Sequence, residues 1–124
     1  MKLIKTPVSF TDSRGSIIDL IEKEEINAVT FISFTTDAVR ANHFHKQTYQ
    51  YNYVTKGRIL LVTQFGDDEI KETTLNVGDL ALTIPMEKHA LKGLEDAEML
   101  VFTKGPRGGK EYESDTFRLE VPLI

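Results

Sequence analysis

The sequence predicts an all-β fold, a single antiparallel β-barrel of jelly-roll type spanning residues 1–124. Three observations predict it. The apolar runs are short, rich in β-branched and aromatic residues, and separated by Gly, Asp, Asn or Pro at the spacing of an antiparallel sandwich or barrel. Apart from a helical turn over Glu22 to Ile26, no window repeats apolar residues at intervals of three and four over several turns, which argues against an α/β fold. About eight strands in 124 residues match a barrel or jelly roll, and no internal repeat, low-complexity tract or linker supports a second domain.

In chain order the strands are Ser16 to Ile21, Ala28 to Phe34, Tyr49 to Thr55, Arg58 to Phe65, Ile70 to Leu75, Asp79 to Ile84, Ala97 to Thr103 and Phe117 to Pro122. Between the third and fourth, Thr55-Lys56-Gly57-Arg58 reads as a hairpin, because glycine takes the positive φ that a tight turn requires. Gly66-Asp67-Asp68-Glu69 and Asn76-Val77-Gly78-Asp79 repeat that signal. Tyr49, Tyr51 and Tyr53 alternate along one strand and share a face, while Gln50, Asn52 and Val54 share the other. With Gln50 inward, the tyrosines face outward, as a packing stripe against a second sheet or a partner subunit.

Composition narrows the function classes. The chain is 40% hydrophobic and 27% charged, with a net charge of -4, the balance of a soluble globular protein. Fifteen Lys and Arg lie scattered among nineteen acidic residues, so no basic run exists to neutralise a phosphate backbone, and nucleic acid is excluded as a partner. There is no cysteine, which excludes disulfides and thiol chemistry. The Leu3-Ile4 pair before Lys5 is too short for the apolar core of a signal peptide, and no stretch is long enough for a membrane helix. A cytoplasmic protein is expected. The segment Lys104-Gly-Pro-Arg-Gly-Gly-Lys110 superficially matches a phosphate loop, but its glycines are one residue too close and Glu111 stands where Ser or Thr would bind magnesium. A surface loop, outside any strand-to-helix setting, is the expectation.

The residues that carry chemistry are histidines. His43 and His45 are separated by one residue, so on a strand both side chains point to one face, and in a barrel the inner face is the pocket. Arg40-Ala-Asn-His43-Phe-His45-Lys46 is followed by Gln50 and Gly57, and then by Gly78-Asp79, Pro85 and His89. This set resembles the two signature motifs of the cupin superfamily, and all three histidines of the chain fall on motif positions. The resemblance implies a cupin-type barrel with His43, His45, His89 and the residue at Gln50 as metal ligands. Gln50 stands where the family usually has glutamate, so the site lacks a negative charge and part of its hold on a divalent cation. Pro85-Met-Glu-Lys-His89 is one residue shorter than the commoner Pro-x-Gly-x-x-His, which alters the turn before the third histidine. Three neutral imidazoles and an amide oxygen suit Zn, Fe, Mn, Ni or Cu and leave positions open for water or substrate.

Within the superfamily, Asp12-Ser-Arg14-Gly15-Ser16 and the Arg40, His43, His45, Lys46 series look like the small cupins that act on nucleotide-linked sugars in bacterial surface-polysaccharide synthesis. The most similar are the dTDP-sugar 3,4-ketoisomerases and the related epimerase domains. That resemblance implies a homodimer and a small-molecule substrate, a nucleotide-linked keto sugar. Moving a keto group between adjacent sugar carbons needs a base of near-neutral pKa, which His43 or His45 could provide. A metal, Lys46 or Arg40 could stabilise the enediolate, and Arg40 could instead form a fork to a diphosphate or a surface salt bridge. An imidazole that holds metal cannot also be the base, so the two roles compete. Two other readings stay open, an iron- or copper-dependent oxygenase and a sugar-binding module without turnover.

Overall fold

The computed structural model describes residues 1–107 and 109–124. In chain order the elements are β1 (Lys2–Ile4), β2 (Val8–Asp12), β3 (Gly15–Ile18), β4 (Ala28–Phe34), β5 (Val39–Phe44), β6 (Tyr49–Lys56), β7 (Ile59–Phe65), β8 (Lys71–Leu75), β9 (Leu80–Thr83), β10 (Glu87–Gly93), β11 (Ala97–Lys104), α1 (Gly109–Ser114) and β12 (Phe117–Arg118). They form two five-stranded antiparallel sheets, ordered β1-β9-β6-β11-β4 and β12-β5-β10-β7-β8, and a separate ribbon, β2-β3. The all-β expectation holds.

Period-two alternation places the core. In the first sheet Val54 lies opposite Met99, and Asn52 lies between Val101 and Ala81. These side chains face the second sheet, where Ile59, Leu61, Leu75 and Leu91 complete the buried cluster. Burying each large aliphatic side chain contributes about 1.5–3 kcal/mol. Tyr51 and Tyr53 pair with Phe102 and Leu100 on the opposite, outer face, as parity predicts once Gln50 points inward.

Several expectations are corrected. Of the three hairpin signals, only Gly66 to Glu69 joins paired strands, β7 and β8. The turns at Gly57 and Gly78 carry the chain from one sheet to the other. Gly57 sits at φ 71, and a Cβ there would lie 2.5 Å from the Asp96 carbonyl oxygen, so the corner needs glycine for reasons a hairpin also satisfies. No helix forms over Glu22 to Ile26. Lys23 takes φ 57, incompatible with a right-handed turn, and Glu24 instead pairs with Lys104 at 2.8 Å. β10, with Glu87, Lys88, His89 and Lys92, has the composition of a loop yet lies mid-sheet between β5 and β7, because tertiary pairing overrides strand propensity. The Lys104 to Lys110 segment leads from β11 into the six-residue α1, a strand-to-helix setting that the sequence reading excluded; Gly108 within it lies outside the described residues. No helix among the described residues is long and apolar enough to cross a membrane.

The shortened turn before His89 has a measurable cost. Met86 takes φ 70, a left-handed conformation that costs an L-residue roughly 1–2 kcal/mol. It is held there because its N–H donates to the His45 carbonyl at 2.6 Å, tying the two histidine-bearing segments together. The Met86 side chain is 48% exposed, so little packing is lost on its removal. Met86→Gly should raise the urea midpoint, by up to about 1 kcal/mol of stability, and Met86→Val should lower it. A midpoint that falls with Gly and rises with Val would contradict this account.

Candidate functional site

β5 and β10 are paired so that His43 lies directly opposite His89, with the register slipping immediately afterwards. The slip is a bulge at Ala41 and Asn42, which take φ 72 and 56. Asparagine tolerates this region and alanine does not, so the bulge must be held from outside. Asn42 accepts the Leu123 N–H at 2.7 Å on its amide oxygen and the Leu119 N–H at 2.9 Å on its carbonyl, pinning the C-terminal segment against it. A bulge redirects side chains, and here it lets the consecutive residues Arg40 and Ala41 line the same pocket as His43.

His45 follows just beyond the end of β5, and its ring still meets the other two. Ring centroids are 4.7 Å apart for His43 and His45, 4.7 Å for His43 and His89, and 5.4 Å for His45 and His89. One nitrogen from each ring lies within 4.8 Å of the others. The His45 Nδ1 faces the Asp115 carbonyl at 2.9 Å, and the His89 Nδ1 faces the Glu87 carbonyl at 3.1 Å. A carbonyl only accepts, so both Nδ1 atoms carry a proton, and in the neutral ring each Nε2 offers a lone pair. The His45 Nε2 is buried without a hydrogen-bond partner. An orphaned buried acceptor amid two further imidazoles is the donor set of a transition-metal ion, and Nδ1-to-carbonyl bonds are the outer contacts that orient such ligands.

Burial, with the neighbouring His89 and His45 rings and the Arg118 charge adding to it, pushes the His43 pKa down to about 3. Burial likewise pushes His89 down to about 4, against the opposing pull of the Glu87 carbonyl and with His45 adding to the depression. Both rings are therefore neutral at pH 7. The adjoining cavity has a volume of about 180 Å³. Its polar wall is His43, His89, Gln50 and Asn52, with Tyr112 and Arg40 at its side, and Ile32, Leu91, Met99 and Val101 form the apolar remainder.

The residues anticipated from sequence fare differently. His43, His45 and His89 converge, and Gln50 is buried on the pocket wall. Arg40 stands at the edge, donating to the Ser33 carbonyl at 3.0 and 3.3 Å and lying 5.4 Å over the Phe34 ring; among the described residues no carboxylate pairs with it. Lys46 is not in the pocket. The chain turns after Phe44, and the exposed ammonium lies 4.3 Å over the Phe117 ring. Arg14, from the second resemblance motif, is paired to Asp12 at 2.6 Å on the β2-β3 ribbon, with its side chain 84% exposed. Sequence reasoning placed Asn52 on the inner face but gave it no role; its amide nitrogen donates to the Gln50 and Ala81 carbonyls at 3.2 and 3.0 Å, leaving the oxygen for the pocket. Tyr112, 5.5 Å from the His45 ring and stacked under Arg107 at 4.1 Å, escaped because no periodicity announces α1.

No protein-family model matches the sequence, and no curated protein matches it. Solved structures do. A sugar 3,4-ketoisomerase from Thermoanaerobacterium thermosaccharolyticum in complex with TDP superposes with a TM-score of 0.77 over 96% of this chain and 88% of that one, at 21% identity. A TDP-quinovose 3,4-ketoisomerase from Campylobacter jejuni gives 0.78 over 95% and 92%, at 23% identity. A dTDP-4-dehydrorhamnose 3,5-epimerase from Sulfolobus tokodaii gives 0.70 over 86% and 70%, at 18% identity. The chain has the cupin fold. In this fold the two five-stranded sheets are the barrel walls and the histidines lie between them.

The depressed histidines make stability depend on pH. Below about pH 6.5 the unfolded chain takes up protons at His43 and His89 that the folded chain refuses until about pH 3 and 4 respectively. Stability is thus fully present above that pH and lost as pH falls, with a slope of up to about 1.4 kcal/mol per pH unit for each ring. Urea midpoints of chelator-treated protein should fall steadily from pH 7 to pH 5, and the fall should be shallower in His89→Gln. A midpoint constant across that window would count against neutral, buried imidazoles.

Proposed function

We propose that this cupin is an isomerase or epimerase acting on a nucleotide-linked keto sugar, with a divalent transition metal held by His43, His45 and His89 and completed by Gln50. The observation that carries the reading is the convergence of three imidazole nitrogens within 4.8 Å beside a small cavity, in a fold common to enzymes that isomerise such sugars. When bound, the metal supplies Lewis-acid stabilisation to an enediolate oxygen. A base works best with a pKa near the working pH, and His43 at about 3 is far below it, which favours ligand over base. Tyr112 is then the ionisable side chain at the pocket free to hold or move a proton at its Oη. The cavity, about 180 Å³, is smaller than the roughly 300–1,000 Å³ of a pocket that engulfs a whole ligand. It takes the reacting sugar ring alone, leaving the diphosphate at the edge, beside the Arg40 guanidinium, with which no carboxylate among the described residues pairs. The likeness to ketoisomerases and the epimerase supports a nucleotide-sugar substrate, the motif resemblance to small cupins of surface-polysaccharide synthesis supports a role there, and the lack of cysteine fits a reducing cytoplasm.

The test is exchange of solvent deuterium into the sugar ring across a panel of dTDP-, UDP- and GDP-linked 4-keto sugars, with elemental analysis of protein prepared without a His-tag. At least one substrate should exchange, and Tyr112→Phe should slow exchange by 10²-fold or more while leaving metal content unchanged. No exchange with any member overturns the reading. Oxygen uptake after anaerobic iron loading would then point to an oxygenase, and binding without turnover to a sugar-binding module.

The same reading includes a homodimer. Val29 and Phe31 on the outer face of β4 are 59% and 60% exposed, and all four apolar residues of the β2-β3 ribbon, Val8, Phe10, Ile17 and Ile18, are 43–58% exposed. A two-stranded ribbon is marginal by itself in water, and apolar surface of this kind is covered in interfaces. Sedimentation equilibrium should give twice the chain mass of 14.1 kDa; the mass of one chain would contradict it.

A further inference from the structure

We propose that Asp115 is a positioning residue that sets the tautomer and aim of His45, so that the three-histidine cluster receives a lone pair and not an N–H. The inference rests on the reading of His45 as a site residue and concerns how that residue is made fit for either a ligand or an acceptor role.

Asp115 follows α1 directly and is 3% exposed. Its carboxylate accepts the Lys46 N–H at 3.0 Å on Oδ1, and the Gln47 N–H at 3.2 Å and the Thr48 hydroxyl at 2.6 Å on Oδ2. Its backbone carbonyl accepts the His45 Nδ1–H at 2.9 Å. One residue thus binds four consecutive residues of the β5–β6 connection. That connection lies outside both sheets, so the Lys46 and Gln47 N–H groups have no ladder partners, and a buried carboxylate is tolerated only when donors surround it. The His45 backbone is held separately, its carbonyl taking the Met86 N–H at 2.6 Å. With the backbone fixed there, the only hydrogen bond to the ring among the described residues is to the Asp115 carbonyl, whose position depends on the carboxylate contacts.

Removing the carboxylate leaves backbone donors unpaired, and the connection moves to satisfy them. The Asp115 carbonyl then leaves the Nδ1, and nothing prevents the proton from shifting to Nε2. The buried, unpartnered Nε2 would change from acceptor to donor and could no longer offer the electron pair that a metal ion or a proton requires.

Long-range ¹⁵N–¹H correlation spectra of the full chain, ¹⁵N-labelled and chelator-treated at pH 7.5, read the tautomer of each histidine directly. His45 and His89 should both appear as Nδ1–H. In Asp115→Asn, His45 should lose that single tautomer while His89, anchored to Glu87, keeps its own, and affinity for Co²⁺ in a titration followed by absorbance should drop about 10–100-fold. Thr48→Val, which removes only the 2.6 Å hydroxyl bond, should give the same changes in smaller measure, and Thr48→Ser should restore the native spectrum. Should Asp115→Asn fail to fold, the threonine pair decides. A folded variant with an unaltered His45 tautomer and Co²⁺ affinity overturns the proposal. None of these readouts needs turnover, so a chain inactive on every keto sugar but with a responsive His45 would lose the functional reading and keep this one.

Discussion

Pairing β5 with β10 so that His43 lies opposite His89 constrains everything that surrounds the pocket. Cross-strand neighbours in an antiparallel pair are about 4.5–5.5 Å apart at Cβ, which brings two imidazoles into contact distance with no loop needed to position them. A slip of β5 by one residue would send the His43 ring to the outer face and away from His89, which β7 holds in register. Each partner strand is guarded at the point where a slip could begin. On β5 the bulge at Ala41 and Asn42 absorbs an extra residue, and on the approach to β10 the left-handed Met86 ends the turn while its N–H reaches the third histidine's backbone.

Strain and burial gather at this site and nowhere else to the same degree. Two consecutive left-handed non-glycine residues precede His43, and a third precedes His89, each at a cost of order 1–3 kcal/mol that surrounding contacts must offset. Asn42 is offset by the C-terminal segment and Met86 by the His45 carbonyl. The histidines add a cost of their own. Burial that holds His43 and His89 neutral, and an Nε2 on His45 with no partner, disfavour folding relative to a well-packed apolar interior. Such an arrangement makes physical sense where a ligand later takes up those lone pairs.

How much of this was legible in the sequence depended on whether the signal was local. β4 was predicted at its observed bounds, Ala28–Phe34, because it is a short run rich in β-branched and aromatic residues. The outward tyrosines and inward Gln50 and Asn52 of β6 followed from period-two parity. His43 and His45 were read as sharing a pocket; their rings do meet, with centroids 4.7 Å apart, but only His43 lines the cavity, because the chain has a bulge before the first histidine and leaves the strand before the second. β10 escaped because its charged residues resemble a loop until β5 and β7 close on both sides of it. α1, with Tyr112 and Asp115, escaped because a six-residue helix carries too few turns for periodicity, and because their partners lie nearly seventy residues back in the chain. Lys46 was placed by motif analogy, which carries no information about where a turn sends a long side chain.

The glutamine at position 50 decides what kind of centre this would be on the proposed reading. A carboxylate there would bind a divalent ion more tightly and neutralise part of its charge. Three neutral imidazoles and a neutral amide leave that charge whole, so the hold is weaker while the pull on a substrate oxygen is stronger. The weaker hold raises the demand on ligand geometry, since affinity not supplied by charge must come from preorganised lone pairs. The hydrogen bonds that fix His45 and His89 through their Nδ1 atoms provide that preorganisation, and the low proton affinity of His43 and His89 removes the competing proton there. Gln50 and the buried neutral imidazoles are thus parts of one electrostatic arrangement. Replacing the amide with a carboxylate would change both at once, because a negative charge on the pocket wall would draw protons back onto His43 and His89.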